Sequence, residues 1–552
     1  MDGRTSIISI ATDTPKDRSK EGTDIETALE ICGTGRYQYV FLLVCGLLFI
    51  CVGMQYAVNA YILPSAECDF NIGSEQKGFL NVAFLGGCTF SALFWGIFAG
   101  VYGRKNIILL TLFTDSVLTI ITSFLPSYNL FLIFRVICGF MIGAPGSLIY
   151  TYHGEFYEYK NQTKSICFLG FFFLISWLIL PGLAWTFIPL PINYEFHGIH
   201  YNSWRMLLGF IGVPTFIIAV TVLVKYPETP KFLVSQGRTD EALAILRKIY
   251  AVNTGRDESE YPIKQLLSCV TLEVKKDETS SSSMHILTSL LKNIWWQLRT
   301  IVSPPHLKYA IILWTIYASN MFGSYGFGLW MPELFNRFEN YQQSHPNASV
   351  SVCELTRNMQ QSLNVTVVDE PFLSLDGVVS ECKRNINERV FINSLTINAV
   401  SLPANIISGC LTNRVNHRTI PTISMLLAGA ASFGVYFVKS SQQVLMMACV
   451  FSLMLTMSNF MMAGVAVNIF PTHIRAATVS IMICLGRASG IMSNLMIGML
   501  LDLICEVPIF MLASVITCKY GNPSRRVWDE TDGAVAHVSN LVTFWEISSW
   551  RI

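Results

Sequence analysis

The chain is 552 residues long, 52% hydrophobic and only 14% charged, with a net charge of +1 and a mean hydropathy of +0.46. Soluble proteins carry about 25% charged residues, so an ordinary soluble domain is excluded, and the near-neutral balance excludes a nucleic-acid partner. Nine histidines and 15 cysteines are scattered without Cys-x-x-Cys, His-Glu-x-x-His or phosphate-loop spacing, so no catalytic residue, no metal site and no cofactor is expected, and no enzyme.

In chain order, residues 1–36 are polar and read as a cytosolic tail, without the short apolar stretch of a signal peptide. A bilayer core needs about 20 apolar helical residues. Six such runs follow, near 38–60, 79–99, 106–125, 129–150, 166–188 and 206–224, forming a first helical bundle over 37–225. A polar linker over 226–306 contains Arg238 to Tyr250, whose apolar residues recur at helical spacing, and so predicts a helix lying on the membrane or the bundle. Ile286 to Ile301, with Trp295 and Trp296, predicts a second interfacial helix, and Ser280 to Ser283 a flexible tether.

A second bundle over 307–518 has runs near 308–330, 390–412, 419–438, 443–467 and 476–500. Its final run, 505–518, is too short to span comfortably. The polar tail 519–552 ends the chain.

Basic residues set the orientation. Arg104, Lys105, Arg414, Arg418, Arg475 and the basic residues of the linker fall on one side if the N-terminus is cytosolic. The acidic loop 332–388 then lies outside or in a lumen, with sequons at Asn347 and Asn364. Cys353 and Cys382 share that loop, and a disulfide between them is expected on that oxidising side, with Cys68 as an alternative partner.

Short motifs sharpen this layout. Gly96-Ile-Phe-Ala-Gly-Val-Tyr-Gly103-Arg104-Lys105 follows the second run, and Gly409-Cys-Leu-Thr-Asn413-Arg414-Val-Asn-His-Arg418 follows the eighth. Both resemble the G-x-x-x-D-R-x-G-R-R/K loop of the major facilitator superfamily, and two copies in corresponding places mark an internal repeat. Pro227-Glu228-Thr-Pro-Lys-Phe-Leu and Asn468-Ile-Phe-Pro471-Thr-His-Ile-Arg475 resemble signatures of its sugar-porter branch. Tyr61-Ile-Leu-Pro-Ser-Ala-Glu67, Ala184-Trp185-Thr-Phe-Ile-Pro, Ser203-Trp204-Arg205 and Trp330-Met-Pro-Glu333 are similar to the synaptic vesicle glycoprotein 2 family.

The resemblance implies an all-α membrane protein of two pseudo-symmetric six-helix bundles, the twelfth helix short or incomplete. It also implies gating roles for the motif residues, with Glu155 as the acidic residue after the fourth span. The sequence departs from the pattern where Gly100 and Val101 replace an Asp-Arg pair and Asn413 replaces an Asp. That acid normally caps a helix N-terminus. First-span acids of the relatives read here as Val52 and Gln55, and a tenth-span Trp and Asp as Asn459 and Ala463.

Ionisable residues at membrane depth are costly and worth a functional hypothesis. Arg135 opens Arg135-x-x-x-Gly139-x-x-x-Gly143, which serves helix packing equally well. Asp115 is positioned to pair with Arg135 if their helices face each other, and Arg487 to meet an anionic group of a solute. Gln55, Tyr56, Asn320, Tyr325, Asn398 and Asn459 fall on the spans that surround the cavity in this fold, and Trp185 offers a ring. Interhelical hydrogen bonding is the competing role for the neutral polar residues, a carbonyl-satisfied structural role for Arg487 and a place in the interfacial aromatic belt for Trp185.

The expected function is a transporter of a small organic solute by alternating access, with uniport or exchange favoured over proton symport. The rival is a vesicle-membrane glycoprotein that binds or organises vesicle-protein partners. Either sits in the lipid bilayer of a vesicle or plasma membrane.

Overall fold

The computed structural model describes residues 22–70, 72–196, 199–267, 295–296, 298–304, 306–345, 350–357, 387–404, 407, 419–470 and 472–517. Six long helices make the first bundle: α2 (Arg36–Phe70), α3 (Ser74–Tyr102), α4 (Arg104–Thr122), α5 (Tyr128–Gly154), α6 (Tyr159–Phe187) and α7 (Ser203–Lys225). Short α1 (Ile25–Cys32) precedes them, and α8 (Pro230–Ser235) and α9 (Thr239–Thr254) follow. The second bundle comprises α10 (His306–Ser344), α11 (Glu388–Ser401), α12 (Thr419–Gly434), α13 (Ser441–Ile469), α14 (Thr472–Leu500) and α15 (Glu506–Thr517).

Helix ends on the side of Arg36 form one face, hereafter the N-face; the ends near Phe70 and Ser344 form the far face. Among the described residues seven helices are long and apolar enough to cross a membrane, or eight if the bent α3 is one span. Helices are the natural answer because lipid offers no partner for a free backbone amide. Pro64, Pro145, Pro181, Pro214 and Pro332 nevertheless sit inside them, as membrane helices tolerate when neighbours re-satisfy the freed groups. Side-chain hydroxyls bond back to i−4 carbonyls in several spans, as at Thr111 and Ser319.

An unforeseen element is a hairpin on the far face, β1 (Asn193–Phe196) paired antiparallel with β2 (Ile199–Asn202). It leads directly into α7.

The N-terminal bundle has one continuous core, which runs from α1 to Leu266 and takes in Leu329 and Phe391 of the other bundle. The described core of the C-terminal bundle divides into separate clusters. On α9 the buried stripe Ala242, Leu243, Leu246, Ile249 and Tyr250 turns toward α1, where the Cys32 thiol donates to Leu246 O at 3.4 Å. Amphipathic spacing thus places this helix against the bundle.

The bundles meet along α3 with α14, α2 with α10, and α6 with α11. Gly78 and Gly498 make the α3–α14 approach possible. A Cβ on Gly498 would stand 3.0 Å from Gly78 Cα and 3.0 Å from Ser74 O, the small-residue packing that membrane helices use.

Candidate functional site

Within the N-terminal bundle, Gln55 organises a fully buried polar cluster. Its amide donates to Asp115 Oδ2 at 3.2 Å and to Thr119 Oγ1 at 2.7 Å. Arg135 donates to Gln55 Oε1 at 3.2 Å and to its backbone carbonyl at 3.3 Å, with the guanidinium 4.6 Å above the Phe84 ring. The expected Asp115–Arg135 contact is therefore indirect, with an amide between the charges. Asp115 Oδ1 and Arg135 Nε have no hydrogen-bond partner. The glycines after Arg135 pack: a Cβ on Gly139 would lie 2.1 Å from Phe84 O, and one on Gly143 would strike Ser91.

Arg487 stands between the bundles. From α14 it donates to Cys88 O on α3 at 2.7 Å and to the Tyr56 hydroxyl on α2 at 3.0 Å. The phenols of Tyr325 and Tyr317 are close enough to interact with the same guanidinium. Among the described residues no carboxylate forms an ion pair with it. A buried cation held by neutral groups is the arrangement that would accept an anionic group from outside.

Other candidates scatter. Asn320 donates weakly to Leu455 O at 3.5 Å and accepts from Ser324. Asn398 joins Ser394 in facing the Tyr61 hydroxyl of the other bundle. The Asn459 side-chain carbonyl is enclosed without a partner. Trp185 is 40% exposed and has no hydrogen bond or ring contact to the cluster. Asn347, Asn364, Cys382, Gly409, Arg414, Arg418 and Pro471, with the side chain of Arg475, lie outside the described residues.

The far face carries a charge lattice that sequence reading missed. Lys77, with no exposed side-chain surface, bonds Glu67 at 2.8 Å and Glu333 at 2.7 Å. Arg337 bonds Glu333 at 2.9 Å, Asp502 at 2.9 Å and the Ser74 hydroxyl at 2.6 Å. Signs alternate along Glu67, Lys77, Glu333, Arg337 and Asp502, and two of the contacts join one bundle to the other. Just inside this lattice Asn81 donates to Asn494 at 3.2 Å, again between bundles. Lys77 precedes the apolar window of its span and so passed as a helix flank.

One far-face expectation changes. Cys353 is disulfide-bonded to Cys505, which corrects the Cys353–Cys382 pairing; proximity in the loop counts for less than the return of the chain at the start of α15. Ser203-Trp204-Arg205 makes buried far-face contacts: Trp204 Nε1 donates to Asp69 at 2.7 Å, and Arg205 donates to Leu125 O at 2.6 Å.

On the N-face the charges cluster around one turn. Glu228 accepts from the backbone amides of Arg104 and Lys105 at 3.0–3.1 Å. Gly103 makes this possible with φ +98°, and a Cβ there would stand 2.3 Å from Glu228 Oε2. Arg104 pairs with Glu155 at 3.0 Å, and the Thr229 hydroxyl donates to the same carboxylate. Burial pushes the Glu155 carboxyl above its ordinary range, with Arg104 and Thr229 pulling back. The Tyr152 hydroxyl fixes Pro227 O at 2.9 Å. Gly96 and Gly100 lie open, with nothing within 4 Å of a Cβ.

Residues 45–355, more than half of the chain, match the family model described as Major Facilitator Superfamily. The chain belongs to the major facilitator superfamily. Its curated relatives include synaptic vesicle glycoprotein 2C of Mus musculus, 24% identical over 91% of this chain and 80% of that one. Synaptic vesicle glycoprotein 2B of Homo sapiens is 23% identical over 93% and 87%.

Among solved structures, the partially occluded inward-open xylose transporter XylE from E. coli superposes with TM-score 0.59. The identity is 13%, over 88% of this chain and 98% of that one. An inward-facing bacterial homolog of the human lysosomal transporter Spinster gives 0.56 at 14%, over 92% and 96%. These likenesses establish the transporter fold. Within the superfamily loop no acid stands at Gly100, and Glu228, from the Pro-Glu-Thr-Pro motif, caps α4.

Proposed function

We propose that this protein carries a small organic solute by alternating access, as a secondary carrier or facilitator, with a site between the bundles at the depth of Arg487. The carrying observation is that Arg487 spans the bundle interface without a carboxylate partner among the described residues and donates to the Tyr56 hydroxyl, while Tyr317 and Tyr325 pack against the neighbouring Gly486 and Gly490 of α14. A solute bearing an anionic group matches that environment. The lattice of Lys77, Glu333, Arg337 and Asp502 closes the far side, so the solute would enter from the N-face in this state. Uniport or exchange is favoured over proton symport because Val52 and Gln55 occupy the acidic positions of the first span. The N-face is assigned to the cytosol, the far face to a vesicle lumen or the exterior, and Asn347 and Asn364 to glycosylation.

Reconstituted protein tests this. Uptake of an organic anion that saturates, and that falls at least tenfold in Arg487→Gln, supports the reading. Uphill uptake driven by a pH gradient alone would rule out uniport and exchange, and would direct attention to Asp115.

The rival reading, a vesicle-membrane organiser of protein partners, has its own support. Its relatives are named synaptic vesicle glycoproteins, and the interior charges already have protein partners. Absence of thermal stabilisation by any sugar, cation, anion or nucleotide, beside a reproducible protein partner, would favour it.

A further inference from the structure

At the N-face a cleft of about 350 Å³ opens between the ends of α4 and α7 and the amphipathic α9. Three lysines from three elements line it: Lys105, Lys225 and Lys248. Lys105 donates to Leu223 O at 3.1 Å. Lys225 and Lys248 are exposed and form no ion pair among the described residues. Glu228 accepts from the α4 amides and also acts on Lys105 as a counter-charge, so Lys225 and Lys248 are the uncompensated charges of the cleft. Tyr37 lines the same cleft, and its hydroxyl is enclosed without a hydrogen-bond partner. The adjoining rim is apolar: Leu223 and Val224 are 50% and 75% exposed at the membrane end of α7.

Two uncompensated lysines and a phenol without a partner among the described residues, beside an apolar rim, make an amphiphile's site, with the charge in the cleft and acyl chains along Leu223 and Val224. We propose that the cleft binds the headgroup of an anionic phospholipid, namely a phosphorylated inositol lipid. A single phosphodiester carries one negative charge, fewer than the two uncompensated lysines can neutralise, so a headgroup with an added phosphate monoester fits better. Basic pockets between membrane helices on the cytosolic side take such headgroups. Which leaflet supplies the lipid rests on the cytosolic placing of the N-face; binding itself does not.

The test uses the full chain purified in neutral detergent, so that failure of binding and failure of the orientation are separate results. Dioctanoyl phosphatidylinositol 4-phosphate is titrated by native mass spectrometry and thermal unfolding, beside dioctanoyl phosphatidylcholine, dioctanoyl phosphatidylserine and soluble inositol 1,4-bisphosphate. The phosphorylated lipid should bind tightest and stabilise most. Lys225→Gln with Lys248→Gln should weaken it about thirtyfold, at roughly fivefold per lysine. Lys225→Arg with Lys248→Arg should restore it. Both positions are exposed, and unchanged unfolding without lipid checks the fold. Equal binding by the Gln variant, or no preference over phosphatidylcholine, overturns the site. Equal binding of phosphatidylserine overturns the headgroup assignment, and equal binding of the soluble bisphosphate overturns the lipid assignment.

Discussion

The two faces of the molecule use charge for different ends. On the far face the lattice from Glu67 to Asp502 crosses between bundles and is deeply buried at Lys77 and Glu333. On the N-face the described ion pairs, Arg104 with Glu155, Lys231 with Glu26 and Arg238 with Glu241, stay within the first bundle and its flanking helices. A contact inside a rigid unit survives a rocking motion, whereas a contact between units must break for the motion to occur. Under the proposed alternating access, the far-face lattice acts as a latch and the N-face network as a brace.

The largest expected effect comes from cutting the latch. Lys77→Met leaves Glu333 buried with Arg337 alone, and losing one partner of a buried pair costs about 3–5 kcal/mol. Thermal unfolding of the purified protein should report it, together with faster labelling of an added far-face cysteine. A change in stability without a change in labelling would mean the lattice braces rather than latches. Next, Cys353→Ser should lower stability by about 2–4 kcal/mol, and the destabilisation that reductant causes in the parent protein should shrink by the same amount.

A pair of glycine variants compares the two ends of α3 and α14. Gly498→Ala places a methyl against backbone at 3.0 Å and should cost about 1–3 kcal/mol by overpacking, favouring the far-open state. Gly96→Ala meets nothing within 4 Å and should be neutral or stabilising by about 1 kcal/mol. Equal costs at both positions in the unfolding midpoint would erase the contrast. The smallest effect is expected from Glu228→Gln, which weakens the α4 cap by about 1 kcal/mol without altering far-face labelling.

Hydropathy and the repeated loop made the fold readable, because lipid imposes length and polarity on every span. The interior was partly readable: Gln55, Tyr56, Arg135 and Arg487 stood out as polar residues at depth, and they do meet one another in pairs. Their actual partners were not readable, since Arg487 reaches Cys88 and Tyr56 from the opposite end of the chain. Glu228 shows a second kind of gap. Its motif was recognisable, but its cap on a helix more than a hundred residues earlier depends on the fold. Lys77, Glu333 and Asp502 sit just beyond the apolar runs, where charge is ordinary, so nothing local separated the far-face lattice from a solvated flank.

The Cys353–Cys505 bond reaches beyond stability. Such a bond persists where the surroundings are oxidising and is rare where glutathione keeps thiols reduced. One covalent link at the head of α15 therefore acts as a compass for the whole chain. If mass mapping of protein from cells recovers it oxidised, the far face matured away from the cytosol, and the side of every other helix end follows by counting crossings. The cleft lined by Lys105, Lys225 and Lys248 would then face the leaflet in which phosphorylated inositol lipids could reach it.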